Sequence, residues 1–210
     1  RHRPTLVIVD KPSRSQCQLF TGRLIPGCDQ GNLLPYQVGA MILGGTFSSR
    51  LVQKMRVERG LCYGAHAWLS AERTCGGVYT HTDVDANRIP EAVELLNDIT
   101  DEYIISGPTE AELEFARSAV LKSIPFGLET ASMEVAQRVR LQLLGRDPSE
   151  LDRRKMLVQS LSLEAVQEAM RTLPTFGEQV MVLVCSYSDS LRKQLSSVTQ
   201  NFEVIEMAWD

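Results

Sequence analysis

The sequence predicts an α+β fold in which an antiparallel-rich sheet carries helices on one face. Residues 5–84 hold two strand patterns, a helix and a hairpin, and residues 87–173 are a nearly continuous helical run. The apolar run Val180–Cys185 then has the length and composition of a strand at the centre of a sheet. This order of strands, a helical run and further strands is typical of α+β proteins.

The first elements can be placed by periodicity and turn residues. Thr5–Val9 is an apolar run closed by a turn, and Gln16–Leu24 alternates as a second strand. Asn32–Leu43 has a helical apolar face, with Pro35 in the first turn, where its missing N–H costs little.

The stretch from Leu43 to Tyr63 predicts a helix that is followed directly by a strand. Ser48 or Ser49 is expected to cap the helix, and Leu51 and Met55 lie at helical spacing. Gly60 stands where a helix C-terminus needs a residue that tolerates positive φ.

The remaining elements follow from the same signals. Cys62–Ser70 and Gly76–Val84 predict a hairpin, and Thr109 with Glu112 predicts a capping box. Helices are expected over Asn87–Ser106, from Thr109, over Ala131–Leu144, Ser149–Leu161, from Ser162 to before Pro174, and over Asp189–Leu195, with a last strand at Phe202–Ile205.

Composition indicates one globular domain over residues 1–210. The net charge is −4 without a basic cluster, which argues against nucleic-acid binding, and no apolar run reaches the ~18 residues of a membrane span. The five cysteines are odd in number and form no CxxC, so reduced thiols are expected; this favours the cytoplasm, with the periplasm as the alternative. Because the chain begins at Arg1, we expect it to be part or a processed form of a longer protein.

No metal site is expected within this chain. The histidines are His2, His66 and His81, and none has a second histidine four residues away. Cys62 and His66 are expected to share a strand face, but i to i+4 along a strand is roughly 13 Å, too far for two ligands of one ion. A facing pair of His66 and His81 in the hairpin is more often structural.

Other chemistries have weaker signals. No GxSxG occurs, and Gly44-Gly45 lacks the GK[ST] of a phosphate loop. Cys62 would be a reactive thiol only if exposed near Arg56 or Arg59. The acidic residues between Glu91 and Glu114 are most simply a solvated helix surface.

Arg56 and Tyr63 are the candidate functional pair. The predicted helix-to-strand junction brings a guanidinium and a phenol to one corner. On spacing alone a structural explanation is favoured, since an arginine near a helix C-terminus complements the dipole and a tyrosine entering a strand packs.

The residues LGGTFSSRL and MRVERGLCYG resemble the signature of the second half of pitrilysin-type zinc metallopeptidases, which include insulysin and the mitochondrial processing peptidases. PTLVIVDKP, GPTEAELEFARSAVLKSI and LLGRDPSEL are similar to other segments of that half, and the spacing of Arg56 and Tyr63 is the specific part. The resemblance implies a two-layer α/β roll that is the inactive, C-terminal, substrate-binding half of such a peptidase.

The resemblance also implies roles and partners. Tyr63 would be catalytic, holding the scissile carbonyl oxygen, and Arg56 would bind the backbone carbonyls of a peptide substrate. This chain would hold no cofactor and would be inactive alone, because the HxxEH motif and its zinc would lie in an N-terminal half or a separate subunit. The alternatives are a non-proteolytic scaffold like the core subunits of the bc1 complex and a stand-alone peptide-binding domain.

Overall fold

The computed structural model describes residues 6–175, 177–196 and 202–206. Its strands form one six-stranded mixed sheet in the order β3-β4-β2-β5-β1-β6. The strands are β1 Leu6–Asp10, β2 Gln16–Pro26, β3 Cys62–Ala71, β4 Cys75–Asp85, β5 Val180–Cys185 and β6 Phe202–Glu206. All six predicted strands are therefore present, and Thr5 of the predicted first strand lies outside the described residues.

The helices also fall close to their predicted bounds. They are α1 Leu34–Gly44, a π-helix Val52–Glu58, α2 Ile89–Ser106, α3 Glu110–Ser123, α4 Ala131–Leu143, α5 Glu150–Gln159, α6 Leu163–Arg171 and α7 Asp189–Leu195. Single 3₁₀ turns lie at Ala86–Arg88 and Phe126–Leu128. The capping box of α3 forms as predicted, since Thr109 and Glu112 each accept a hydrogen bond from the other's backbone N–H.

Strand pairing is antiparallel on one side of the sheet and parallel on the other. β2 pairs with β4 along its whole length and β3 pairs with β4, all antiparallel. β5 lies between β2 and β1, antiparallel to β2 and parallel to β1, and β6 pairs parallel to β1. Val180–Cys185 is thus an inner strand, as its apolar sequence predicts.

The helices pack on one face of this sheet, which confirms the two-layer α+β prediction. The face turned to them carries buried side chains such as Cys17, Leu19, Met181 and Leu183, which join the hydrophobic core with α1, α2 and α6. Side chains of the opposite face, including Phe20, remain partly exposed. The core therefore lies between the sheet and the helices.

A close approach of α1 to the sheet depends on Gly44. A Cβ on this residue would lie 2.4 Å from the backbone nitrogen of Ala67, so the end of α1 packs directly on β3. The buried hydroxyl of Tyr103 in α2 donates a hydrogen bond to the carbonyl oxygen of Gly39 at 2.9 Å and joins the same layer. These contacts fix α1 before the chain enters the segment that carries Arg56.

Within the described ranges, no helix combines the length and hydrophobicity needed to cross a bilayer.

Candidate functional site

The segment that carries Arg56 is a helix of unusual geometry. A short helical turn at residues 50 and 51 continues into the π-helix Val52–Glu58, and we call residues 50–58 the site helix. Leu51, Val52 and Met55 are buried, which confirms the apolar side predicted from their spacing. Turns of the π-helix type are rare and often occur at functional sites.

The start of the site helix differs from the prediction. The hydroxyl of Ser49 donates a hydrogen bond to the carbonyl oxygen of Thr46 at 2.6 Å, and the site helix has no side-chain cap hydrogen bond. Ser48 contacts the hydroxyl of Thr46. The expected serine cap is therefore wrong, because the preceding turn engages both side chains.

Two salt bridges hold the site helix against α2 and α3. Nε and Nη2 of Arg50 donate to the two carboxylate oxygens of Glu112 at 2.6 and 2.8 Å, and Nη2 also donates to the carbonyl oxygen of Gly107. The guanidinium lies 4.7 Å from the ring centroid of Tyr103. Lys54 donates to Glu102 at 2.6 Å. One side of the site helix is thus fixed to the helix layer by charge as well as by apolar contact.

The pairing of Arg50 with Glu112 changes the ionisation of both groups. Burial raises the pKa of Glu112, but hydrogen bonds from Arg50 and Thr109 outweigh it and leave the pKa below its usual value. The hydrogen bond to Glu112 raises the pKa of Arg50. Both groups are therefore held in their charged forms at neutral pH.

The end of the site helix is fixed by backbone hydrogen bonds and by Arg88. The N–H of Leu61 donates to the carbonyl oxygen of Met55 at 2.8 Å, and Gly60 has φ +57°, as its position predicted. Nη1 of Arg88 points to the carbonyl oxygens of Arg59 and Gly60 at 3.4 and 3.3 Å. These contacts position the chain as it enters β3.

A β-bulge follows directly. Cys62 pairs with Val84 and Ala65 pairs with Thr82, so three steps along β3 match two steps along β4. The prediction that Cys62 and His66 share a face is therefore wrong, because the extra residue reverses the alternation of side chains. Tyr63 lies within the bulge, and bulges often re-aim a side chain next to a functional site.

The functional groups of Arg56 and Tyr63 are free within the described part of the chain. Tyr63 is 86% exposed, and neither its hydroxyl nor the guanidinium of Arg56 forms a hydrogen bond or ion pair with a described residue. The guanidinium lies 5.1 Å from the ring centroid of Phe47. Phe47 is 66% exposed and Val57 is 55% exposed. The pair thus stands on an exposed surface of mixed apolar and polar character.

The described histidines and cysteines are placed as follows. His66 and His81 are register neighbours on β3 and β4, and His81 stacks on Phe20 with 4.3 Å between ring centroids. Across the described residues, no three His, Cys, Asp or Glu side chains are grouped as metal ligands would be. Cys62 is half-buried beside the core.

Sequence reasoning missed the residues that hold the site. Arg50 and Lys54 lie four residues apart, which places them on one side of a helix, but their acidic partners are 62 and 48 residues away. The acidic stretch interpreted as solvated surface supplies those partners, Glu102 and Glu112. The spacing of four residues between Arg50 and Lys54 was the sequence signal that could have identified them as a pair on one side of a helix.

Sequence comparisons identify the family of this chain. A sequence model of the family described as "Peptidase M16 inactive domain" matches residues 2–120, more than half of the chain. The chain is 26% identical over 150 residues to an uncharacterized zinc protease, YmxG, of Bacillus subtilis, which covers 71% of this chain and 36% of that protein. It is 24% identical over 153 residues to the non-peptidase homolog YmxG of Helicobacter pylori, covering 73% and 35%.

Solved structures show the same fold. The peptidase M16 inactive domain from Pseudomonas fluorescens superposes with a TM-score of 0.79 at 23% identity, covering 89% of this chain and 44% of that one. A chain of complex III2 from Candida albicans superposes with a TM-score of 0.73 at 13% identity, covering 91% and 48%.

The present chain spans about two fifths of the length of the curated relatives that it matches. The resemblance inferred from the residues around Arg56 and Tyr63 is confirmed by the family match. The chain belongs to the peptidase M16 inactive domain family.

Proposed function

We propose that this domain is the substrate-holding half of a zinc endopeptidase and that it presents Tyr63 and Arg56 to a peptide bound at the zinc site of a partner half. The observation that carries the proposal is the contrast within one short segment. Arg50, Lys54 and Arg88 are bound to neighbouring elements. The donors of Arg56 and Tyr63 are instead exposed and make no hydrogen bond within the described ranges. Exposed donors on a segment whose other basic side chains are fixed are open to a ligand.

Tyr63 is assigned to the scissile carbonyl oxygen. Its neutral O–H donates a hydrogen bond that strengthens as negative charge develops on that oxygen, which is how an oxyanion donor accelerates acyl chemistry. The bulge between Cys62 and Ala65 supports this role, because it turns Tyr63 outward at the start of the strand.

Arg56 is assigned to the substrate backbone. A guanidinium stays charged and offers several donors in a fixed plane, so it can bind peptide carbonyl oxygens whatever the side chains are. The exposed rings and methyls of Phe47 and Val57 beside it would contact apolar parts of the peptide.

The zinc of such an enzyme would be held by the partner half, where it would supply an activated water. The described residues of this chain contain no matching ligand group, so its own contribution is to bind and orient the peptide and stabilise the carbonyl oxygen.

A non-proteolytic scaffold is the second candidate. It is favoured by the structural match to a chain of complex III2 and by the sequence match to a non-peptidase homolog. A scaffold does not require Arg56 and Tyr63 to be exposed. The two candidate functions therefore predict different effects of substituting these residues on peptide cleavage.

The test is steady-state cleavage of a fluorogenic peptide by this domain assembled with its zinc-bearing half. We expect Tyr63→Phe to lower kcat by about 10²- to 10³-fold, the usual cost of removing one oxyanion donor. Phe keeps the ring, so thermal melts should be unchanged. Tyr79→Phe, on the neighbouring strand β4, is the matched control. A Tyr63→Phe enzyme with nearly unchanged kcat would show that the tyrosine packs rather than catalyses, and an assembly without peptidase activity would favour the scaffold.

A further inference from the structure

A concave site lies at the other end of β3, away from Tyr63. It is a cavity of about 630 Å³ between the end of β3 and helices α1, α4 and α5, and we call it the β3–α5 cavity. Its volume lies within the usual range of small-molecule sites, roughly 300 to 1,000 Å³. Its apolar wall is formed by Leu33, Met41, Trp68, Leu141, Leu144 and Leu157.

The polar part of this cavity is strongly basic. Arg140, Arg146 and Arg154 line it, and Glu150 is the acidic residue among the lining side chains. Glu150 is already engaged, because it accepts hydrogen bonds from Arg146, including one of 3.2 Å from Nε. The cavity therefore carries excess positive charge in a protein whose net charge is −4.

Arg154 has no counter-charge among the described residues. The side chain is partly buried, and it forms no hydrogen bond or ion pair with any residue in the ranges that the structure describes; the same holds for Arg140. Burial lowers the pKa of Arg154, and the nearby charge of Arg146 lowers it further. Burying a charge without a partner is unfavourable, so an anion at this position would satisfy a group that the protein leaves unpaired.

We propose that the β3–α5 cavity binds an apolar chain that ends in a carboxylate, with the carboxylate on Arg154 and the chain against Trp68 and the surrounding leucines. A guanidinium fits a carboxylate through two parallel N–H···O hydrogen bonds. Each methylene that leaves water strengthens binding, so an aliphatic tail against the apolar wall raises the affinity. A medium-chain fatty acid and the C-terminus of an apolar peptide share this chemistry.

Calorimetric titration of the purified chain with decanoate tests the proposal, and it needs neither the zinc-bearing half nor peptide cleavage. We expect saturable binding at one site per chain and much weaker binding of decanol, which lacks the charge. Arg154→Met, which keeps an apolar stem, should weaken decanoate binding by about 10- to 100-fold, because a hydrogen-bonded charge contributes about 1.5–3 kcal/mol. Arg154→Lys should restore part of the affinity.

Two further arms make the outcome decisive. Arg153→Met is the matched control, since Arg153 is exposed on the same helix and pairs with Asp147, so it should bind decanoate like the unaltered chain. Trileucine with a free or an amidated C-terminus separates the sources: tighter binding of the free acid than of decanoate identifies a peptide terminus. Equal binding of decanol and decanoate, unchanged affinity in Arg154→Met, or no binding by any probe would overturn the proposal.

Discussion

The two sides of the site helix handle positive charge in opposite ways. On the side that faces α2 and α3, Arg50 and Lys54 are paired with Glu112 and Glu102. On the side that faces solvent, Arg56 contacts only the ring of Phe47 among the described interactions. Two arginines of one helix therefore differ in their contacts although their side chains are the same. Arg50 stabilises the packing of the helices, whereas Arg56 is available to bind a ligand.

The comparison predicts a clear stability difference, which is the largest effect we expect from substitutions in the site helix. Arg50→Ala removes the donor to Oε1 of the partly buried Glu112 and one of the donors to the carbonyl of Gly107, and should lower the free energy of unfolding by about 1.5–3 kcal/mol. Arg56→Ala should change it by no more than about 0.5 kcal/mol, as is usual for exposed positions. Chemical denaturation of both variants measures the two values. Equal losses in the two variants would erase the distinction between the inner and outer sides.

Kinetics should show the reverse pattern. In the assembled enzyme, Arg56→Ala should raise KM about tenfold with a smaller effect on kcat, because backbone carbonyls bound by Arg56 change little between ground and transition state. Arg56→Lys should recover only part of the loss, since a point charge cannot reproduce the planar donors. Arg59→Ala, an exposed arginine three residues away, is the control and should leave KM unchanged. An unaltered KM in Arg56→Ala would remove the substrate-binding assignment.

The smallest expected effect is a pH dependence confined to the inner side. The pKa of Glu112 is lower in the folded chain than its ordinary value of 4.5, so its stabilising contribution is complete above about pH 4.5 and is lost as the pH falls through the folded-state pKa. Glu112→Gln should therefore be least stable relative to the unaltered chain at neutral pH, with the difference shrinking in acid.

Thermal melts of Glu112→Gln from pH 7 to pH 3 would measure this convergence. Glu110→Gln, an exposed glutamate in the same helical turn, serves as the control and should track the unaltered chain more closely at every pH. A stability difference that stays constant down to pH 3 would mean that the Arg50–Glu112 contact does not depend on the charge of Glu112.

The placement of the elements followed from local physics that the sequence carries. Alternating side chains predicted β2 and β4, the apolar run predicted β5 as an inner strand, and Thr109 with Glu112 predicted the start of α3. Gly60 predicted the left-handed end of the site helix. These signals are readable because each depends on residues within a few positions of one another.

Contacts between residues far apart in the chain could not be predicted from the sequence in the same way. Arg23 lies buried within the core, where it donates hydrogen bonds to Thr21, Thr100 and the carbonyl of Pro174, and burial lowers its pKa to about 10. The alternation of β2 places Arg23 on the buried face beside Thr21, but it does not identify Thr100 and Pro174, which lie 77 and 151 residues away in the chain.

The sequence by itself determined the fold class, the family and the identity of the exposed pair Arg56 and Tyr63. Only the tertiary structure decided the backbone geometry around that pair. Arg56 lies in a π-helix instead of a regular helix. A bulge turns Tyr63 outward and places Cys62 and His66 on opposite faces of β3. Both irregularities shift the chain by about one residue relative to its neighbours. The local sequence pattern is equally compatible with a regular helix or strand and with the irregular one. The choice between them therefore depends on packing against α2, α3 and β4.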